Sequence, residues 1–265
     1  MTRTLEEIVG ELTLMDDAFF HKLAEHPGFC QEVLQVILQK PALEVVEVIP
    51  QMNLKNLIGR SVYLDVFCKD SAGNYYNIEI QKTDSEDHQK RVRFHGSCMD
   101  ALVSRKGSCF AELPETYVIY ISDFDLFRNG EAVYYIDRVK RDDGMVVENG
   151  FHEIYVNTVI DDGSDISELM KLFRSSGIPE DKRFPEVCRL IRYYKGKEGC
   201  EDMCDLIEEY AREYAEEVAK EVTKKSAMTY AKNLLMQGLG LDIIRKAITD
   251  LSEEELIKLQ AEVMK

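Results

Sequence analysis

The chain has 265 residues, 45% of them apolar and 31% charged, a composition that excludes a disordered polymer and allows a substantial core. Its formal net charge of −16 favours solubility and argues against indiscriminate attraction to nucleic acid. No run approaches the ~20 apolar residues that span a bilayer, and the opening Met1-Thr2-Arg3-Thr4-Leu5-Glu6-Glu7 lacks the apolar centre of a secretion signal, so a cytoplasmic protein with no membrane partner is expected.

Asp16-Asp17 precede a helical pattern carrying Phe19, Phe20 and Leu23. A second pattern holds Phe29, Val33, Leu34, Ile37 and Leu38 before Pro41, so two helices are predicted to open the chain. The period then becomes that of strands over residues 45–49, 62–68 and 75–81, with Asp70-Ser71-Ala72-Gly73-Asn74 as turn chemistry between the last two. Helical spacing returns over residues 84–106, and Tyr117-Val118-Ile119-Tyr120-Ile121-Ser122 reads as a buried strand.

Two further β-like runs, residues 132–139 and 151–158, precede helices near 164–174, 183–195 and 201–236. In the last of these Leu206, Tyr210, Tyr214, Val218 and Val222 form an i,i+4 packing stripe. Two short helices close the chain, the second opened by a capping box of Ser252 and Glu255. The carboxylates of Glu253, Glu254 and Glu255 at its start disfavour it as a DNA-reading helix. Residues 1–160 are thus expected to form an α/β core, and residues 161–265 a helical extension whose long amphipathic helix and terminal pair offer a surface for self-association.

The chemistry concentrates in the hairpin. If residues 70–74 form the turn, antiparallel pairing sets Asp65 opposite Glu79, with Cβ atoms ~4.5–5.5 Å apart. Alternation places Leu64, Val66 and Cys68 on one face with Tyr76, Ile78 and Ile80, and Tyr63, Asp65 and Phe67 on the other with Asn77, Glu79 and Gln81. Two carboxylates at that separation repel by about 3 kcal/mol at an effective dielectric near 20, a conflict that a divalent cation removes. Asp65, Glu79, the main-chain carbonyl of Ile80 and water compose the hard-oxygen shell that Mg2+ prefers, and Gln81 would hold a water or a phosphate oxygen. A solvated face on which Arg60, Lys69 or Lys82 pairs with these acids is the alternative. Residues 81–110 carry six basic and four acidic side chains in an otherwise acidic chain, so an anionic ligand is to be sought there.

These segments, in order, resemble the PD-(D/E)XK nuclease superfamily in its branch of recombination-promoting (Rpn-type) transposases. The resemblance rests on Met15-Asp16-Asp17-Ala18-Phe19-Phe20, Leu64-Asp65-Val66, Asn77-Ile78-Glu79-Ile80-Gln81, Arg91-Val92-Arg93-Phe94, Lys106-Gly107 and Ile121-Ser122-Asp123-Phe124, and it covers residues 10–160. It implies a restriction-endonuclease-like αβββαβ core with a mixed central sheet, and a metal-dependent endonuclease that hydrolyses DNA phosphodiester bonds in recombination or transposition. It implies that Asp65 and Glu79 bind Mg2+, with Mn2+ as a substitute, and that Gln81 stands where the superfamily usually has lysine. Asp17 resembles a first-helix acid used as an additional ligand, or else caps its helix. Lys82, Arg91 and Arg93 are the candidate phosphate contacts, with a solvated helix face as the alternative for the two arginines, and His95 reads as a core or surface histidine in preference to a proton donor. The rival reading is an inactive nuclease fold that acts through protein–protein interaction, which the acidic charge favours.

Overall fold

The turn at residues 70–74 sets the architecture. The buried Asp70 carboxylate accepts hydrogen bonds from the backbone N–H of Asn74 (2.8 Å), the Asn74 side-chain amide (2.9 Å) and the Tyr76 hydroxyl (2.6 Å). Gly73 takes the left-handed φ of +91° that the tight reversal demands. With the reversal fixed, Val66 pairs with Ile78, Phe67 with Asn77, Cys68 with Tyr76 and Lys69 with Tyr75, the register read from the sequence.

The computed structural model describes residues 4–54, 62–84, 87–107, 109–237, 239–241, 244, 248, 256 and 259–260. Helices α1 (Leu5–Glu11), α2 (Asp17–Ala24) and α3 (Pro27–Ile37) lead into strands β1 (Val45–Leu54), β2 (Val62–Asp70) and β3 (Tyr75–Gln81). Helix α4 (His88–Val103) connects to β4 (Thr116–Ser122), β5 (Val133–Ile136) and β6 (Phe151–Asn157), and α5 (Asp165–Arg174), α6 (Pro185–Lys195) and α7 (Lys197–Met236) follow. The strands form one mixed sheet in the order β1-β2-β3-β4-β6-β5. β1 and β2, β2 and β3, and β5 and β6 are antiparallel, while β3 and β4, and β4 and β6, are parallel. This is the expected αβββαβ arrangement. β3 and β4 are buried over most of their length and β6 over its second half, as in a sheet covered on both faces, and β4 is also a mostly apolar run.

Helix α4 supplies Val92 and Met99 to a cluster with Phe67, Val118, Tyr120 and Tyr155. Gly96 brings this helix close to the sheet, since a Cβ there would lie 2.1 Å from the Phe151 ring. α2 and α3 pack against β1, and α5 and α6 pack against α3. Their side chains Phe19, Phe20, Leu23, Phe29, Leu34, Phe173 and Phe184 are fully buried. At one margin of the sheet, β1 contains Pro50, and Gln51 beside it has a φ of +50°. At the other margin β5 has only four residues.

The chain divides into two compact units, Met1–Cys204 and Asp205–Lys265. Within the second, Ala227, Ala231, Ile244, Leu256 and Leu259 form a small apolar cluster. The side chains of Tyr210, Tyr214, Val218 and Val222, and the Ser252–Glu255 capping box, lie outside the described residues. No described helix is long and apolar enough to cross a membrane.

The structure departs from the sequence expectation at α1, α4, β1 and β5. A further helix, α1, precedes the two expected; its seven residues are too few for a periodic signal, and it is held by a capping box between Thr4 and Glu7. Helix α4 is shorter than residues 84–106, because Asp87 caps its start by accepting from the N–H of Lys90 (3.1 Å). Strand β1 runs on to Leu54, beyond the expected residues 45–49, and β5 covers only Val133–Ile136 of the expected 132–139. The recorded β2–β3 pairs end at Val66 and Ile78.

Gly96→Ala is expected to destabilise the fold by about 1–3 kcal/mol through overpacking against Phe151. Chemical denaturation measures it, and adding Phe151→Ala should recover part of the loss if the ring is the obstacle.

Candidate active site

Beyond Val66 and Ile78, side chains take over the linkage between β2 and β3. The backbone N–H of Asp65 donates to Oε1 of Glu79 (3.2 Å), and the N–H of Ile80 donates to Oδ2 of Asp65 (3.0 Å). Each acid therefore receives a backbone hydrogen bond from the strand that carries the other. Glu79 is completely buried. Its Oε1 also accepts from the Asn77 amide (2.7 Å) and stands 3.0 Å from Nδ1 of His95, while its Oε2 accepts from Nη2 of Arg91 (3.1 Å). The second nitrogen of the guanidinium, Nη1, donates to Oε1 of Gln81 (3.0 Å). The Gln81 amide nitrogen turns the other way, donating to the carbonyl (3.0 Å) and hydroxyl (3.1 Å) oxygens of Thr83.

In front of this array lies a polar cavity of about 300 Å3 lined by Asp17, Asp65, Ile80, Gln81, Lys82, Thr83 and Arg91. Asp17 enters it from the first turn of α2. Asp16, one residue earlier, holds the N-cap position, but its carboxylate accepts from the backbone and hydroxyl of Thr13 and pairs with Lys82.

Burial and the neighbouring Glu79 push the Asp65 carboxyl well above the usual range; the Ile80 N–H and Arg91 only partly oppose them. Glu79 goes the other way. Burial would raise it too, but the hydrogen bond and charge of His95, with Arg91 and the Asn77 amide, outweigh burial and hold it below the usual value. One acid of the pair thus favours its proton and the other its charge. Removal from bulk water raises Asp17 as well, although its side chain keeps solvent contact; Lys82 is the strongest opposing influence. His21 of α2, which shares a hydrogen bond with the Gln51 side chain (3.1 Å), is depressed to about 4 by burial.

The structure brings together most of the residues singled out by sequence. Asp65, Ile80, Gln81, Lys82, Asp17 and Arg91 line one cavity, and Glu79 stands directly behind it. Arg93 is exposed on α4 and is not among the lining residues. Arg91 faces inward onto two acceptors instead of outward to solvent. Of the alternative ion-pair partners, Lys82 pairs with Asp16, Lys69 lies over the Tyr75 ring (5.4 Å), and Arg60 is outside the described residues. Asn77 and His95 complete the Glu79 environment. Asn77 could have been found from its place on the Glu79 face, because a buried amide on a strand must have a partner.

Among the described residues no group of three or more His, Cys, Asp or Glu side chains is placed to hold a metal ion. The donor chemistry nevertheless fits a hard, partly hydrated cation, which takes one or two carboxylates and completes its shell with water and substrate oxygens. Asp65 and Asp17 present carboxylates to the cavity, with Ile80 and Gln81 alongside.

Residues 28–158 match the family model described as PD-(D/E)XK nuclease family transposase. Over these residues the chain belongs to that family. The PD-(D/E)XK match contains Asp65, Glu79, Gln81 and Arg91 and begins after α2, so Asp17 joins the site by its position and not by the family match. Comparison with curated proteins and with solved structures finds no match.

A carboxyl whose pKa is raised by folding binds its proton more tightly in the folded than in the unfolded chain. Its ionisation therefore costs stability as pH rises from the ordinary aspartate value through the raised one. Asp65→Asn keeps an acceptor for the Ile80 N–H and removes that cost. In metal-free buffer near pH 8 it is expected to raise the melting temperature by about 2–4 °C, the shift that ~1 kcal/mol gives a domain of this size, with a smaller effect near pH 4. Thermal melts at the two pH values check this, and a lower melting temperature near pH 8 would contradict it.

Proposed function

We propose that the chain is a metal-dependent DNA endonuclease that hydrolyses phosphodiester bonds, in the cytoplasm, as part of recombination or transposition. The observation that carries this reading is the reciprocal backbone hydrogen bonding of the Asp65 and Glu79 carboxylates where the recorded β2–β3 pairing ends, with Asp65 lining a polar cavity. Membership of the PD-(D/E)XK nuclease family supports it. Asp65, Glu79 and the main-chain carbonyl of Ile80, with Asp17 from α2, would hold Mg2+, and Mn2+ would substitute. The cation, when bound, supplies charge neutralisation and Lewis-acid assistance to the hydrolysis of a phosphate ester.

The remaining roles fall to the chain itself. Gln81 carries no charge and no transferable proton at neutral pH, so it would orient the attacking water through Oε1 without taking its proton. Thr83 fixes the amide plane that makes this orientation definite. Lys82, at the cavity rim, and Arg93, exposed on α4, would steady the DNA backbone. A second reading, an inactive fold acting through protein partners or self-association of the C-terminal helices, is favoured by the net charge of −16, since binding to DNA is driven by cationic contacts.

Cleavage of supercoiled plasmid DNA separates the two. The endonuclease reading expects nicking with Mg2+ or Mn2+ that chelation abolishes. Asp65→Ala and Glu79→Ala should each lower it by at least about a hundred-fold, and Gln81→Ala by about ten-fold. Equal cleavage by wild type and Asp65→Ala rejects the assignment, and no cleavage together with no heat of metal binding favours the interaction protein.

A further inference from the structure

Arg91 does not sit where a phosphate contact on a solvated helix face would sit. From the first turns of α4 its fork spans Oε2 of Glu79 and Oε1 of Gln81, at 3.1 and 3.0 Å. Those are two of the oxygens that the proposed reading needs for a cation and for water. Oε1 of Glu79 already meets the Asp65 N–H, the Asn77 amide and His95, which leaves Oε2 as the oxygen this acid can offer to anything new. Arg91 holds it.

The electrostatic balance requires an occupant at that place. A buried carboxylate beside a second one needs compensating positive charge, and here the guanidinium of Arg91 supplies it. A divalent cation held at this site would supply the same charge and make the guanidinium redundant. Arg91 is also placed to leave. About a third of its side chain (31%) is exposed, and it lines the cavity that the substrate would enter. Its long stem allows the head to turn to solvent without moving the helix.

We infer that Arg91 is a resident counter-ion that holds Glu79 and Gln81 in the metal-free protein and is exchanged for the divalent cation, after which its guanidinium faces the anionic substrate. This deepens the endonuclease reading and rests on it. The exchange makes metal entry and phosphate binding mutually reinforcing, because each favours the outward position of Arg91 and linkage is reciprocal. It also gives Arg91 a positioning role that opposes metal affinity, whereas a merely structural ion pair would support it.

Calorimetric titration of the full chain with Mn2+ alone tests the inference. Arg91→Met is expected to bind Mn2+ about ten- to a hundred-fold more tightly than wild type, the range that loss of one charge-assisted hydrogen bond to a competitor gives. Its metal-free melting temperature should fall, and Mn2+ should restore it. Arg91→Lys keeps a charge that cannot span both oxygens, so its affinity should lie between the two; it carries the test if the methionine variant does not fold. Metal binding that depends on Asp65 but is unchanged or weaker in both Arg91 variants overturns the exchange and leaves the endonuclease reading standing. No metal binding by wild type or by either variant overturns that reading and the exchange with it.

Discussion

Two backbone hydrogen bonds cross between β2 and β3 where their regular pairing stops: Asp65 N–H to Glu79, and Ile80 N–H to Asp65. A sheet that simply frayed here would leave main-chain donors without partners in a half-buried place, at a cost of a few kcal/mol each. The chain uses acid side chains to accept these bonds. Removing either acid therefore withdraws a backbone acceptor as well as a charge, so structure and chemistry are joined at one pair of residues.

That solution creates an electrostatic conflict, which the surrounding elements divide unequally. Asn77, His95 and Arg91 converge on Glu79 and keep it ionised. Asp65 has one backbone donor on its carboxylate and its charge is correspondingly disfavoured. The asymmetry follows from topology. Glu79 is met by His95 and Arg91 of α4, whereas Asp65 lines the cavity with Asp17. The less compensated acid is the one a ligand can reach.

The features written in short stretches of chain were legible. Asp70, Gly73 and Asn74 announced the hairpin, and the hairpin brings the Asp65 N–H within hydrogen-bond reach of Glu79. Strand β4 showed itself as a mostly apolar run because both of its faces are covered. What escaped depends on tertiary context. The seven residues of α1 carry no period, and the inward turn of Arg91 depends on a buried acid twelve positions away. Arg91 and Arg93 look alike in sequence and lie on the same helix, yet one is drawn into the site and the other is left on the surface.

The margins of the sheet have a consequence of their own. An exposed strand is a template on which a second chain can add by backbone pairing, the first step towards fibrous aggregation. Pro50 has no amide hydrogen to offer such a neighbour, and the left-handed turn at Gln51 disrupts the straight edge that a neighbour would follow. On the far side, four residues of β5 make too short a rung to recruit one. The outermost strands of this molecule therefore discourage growth of the sheet from chain to chain.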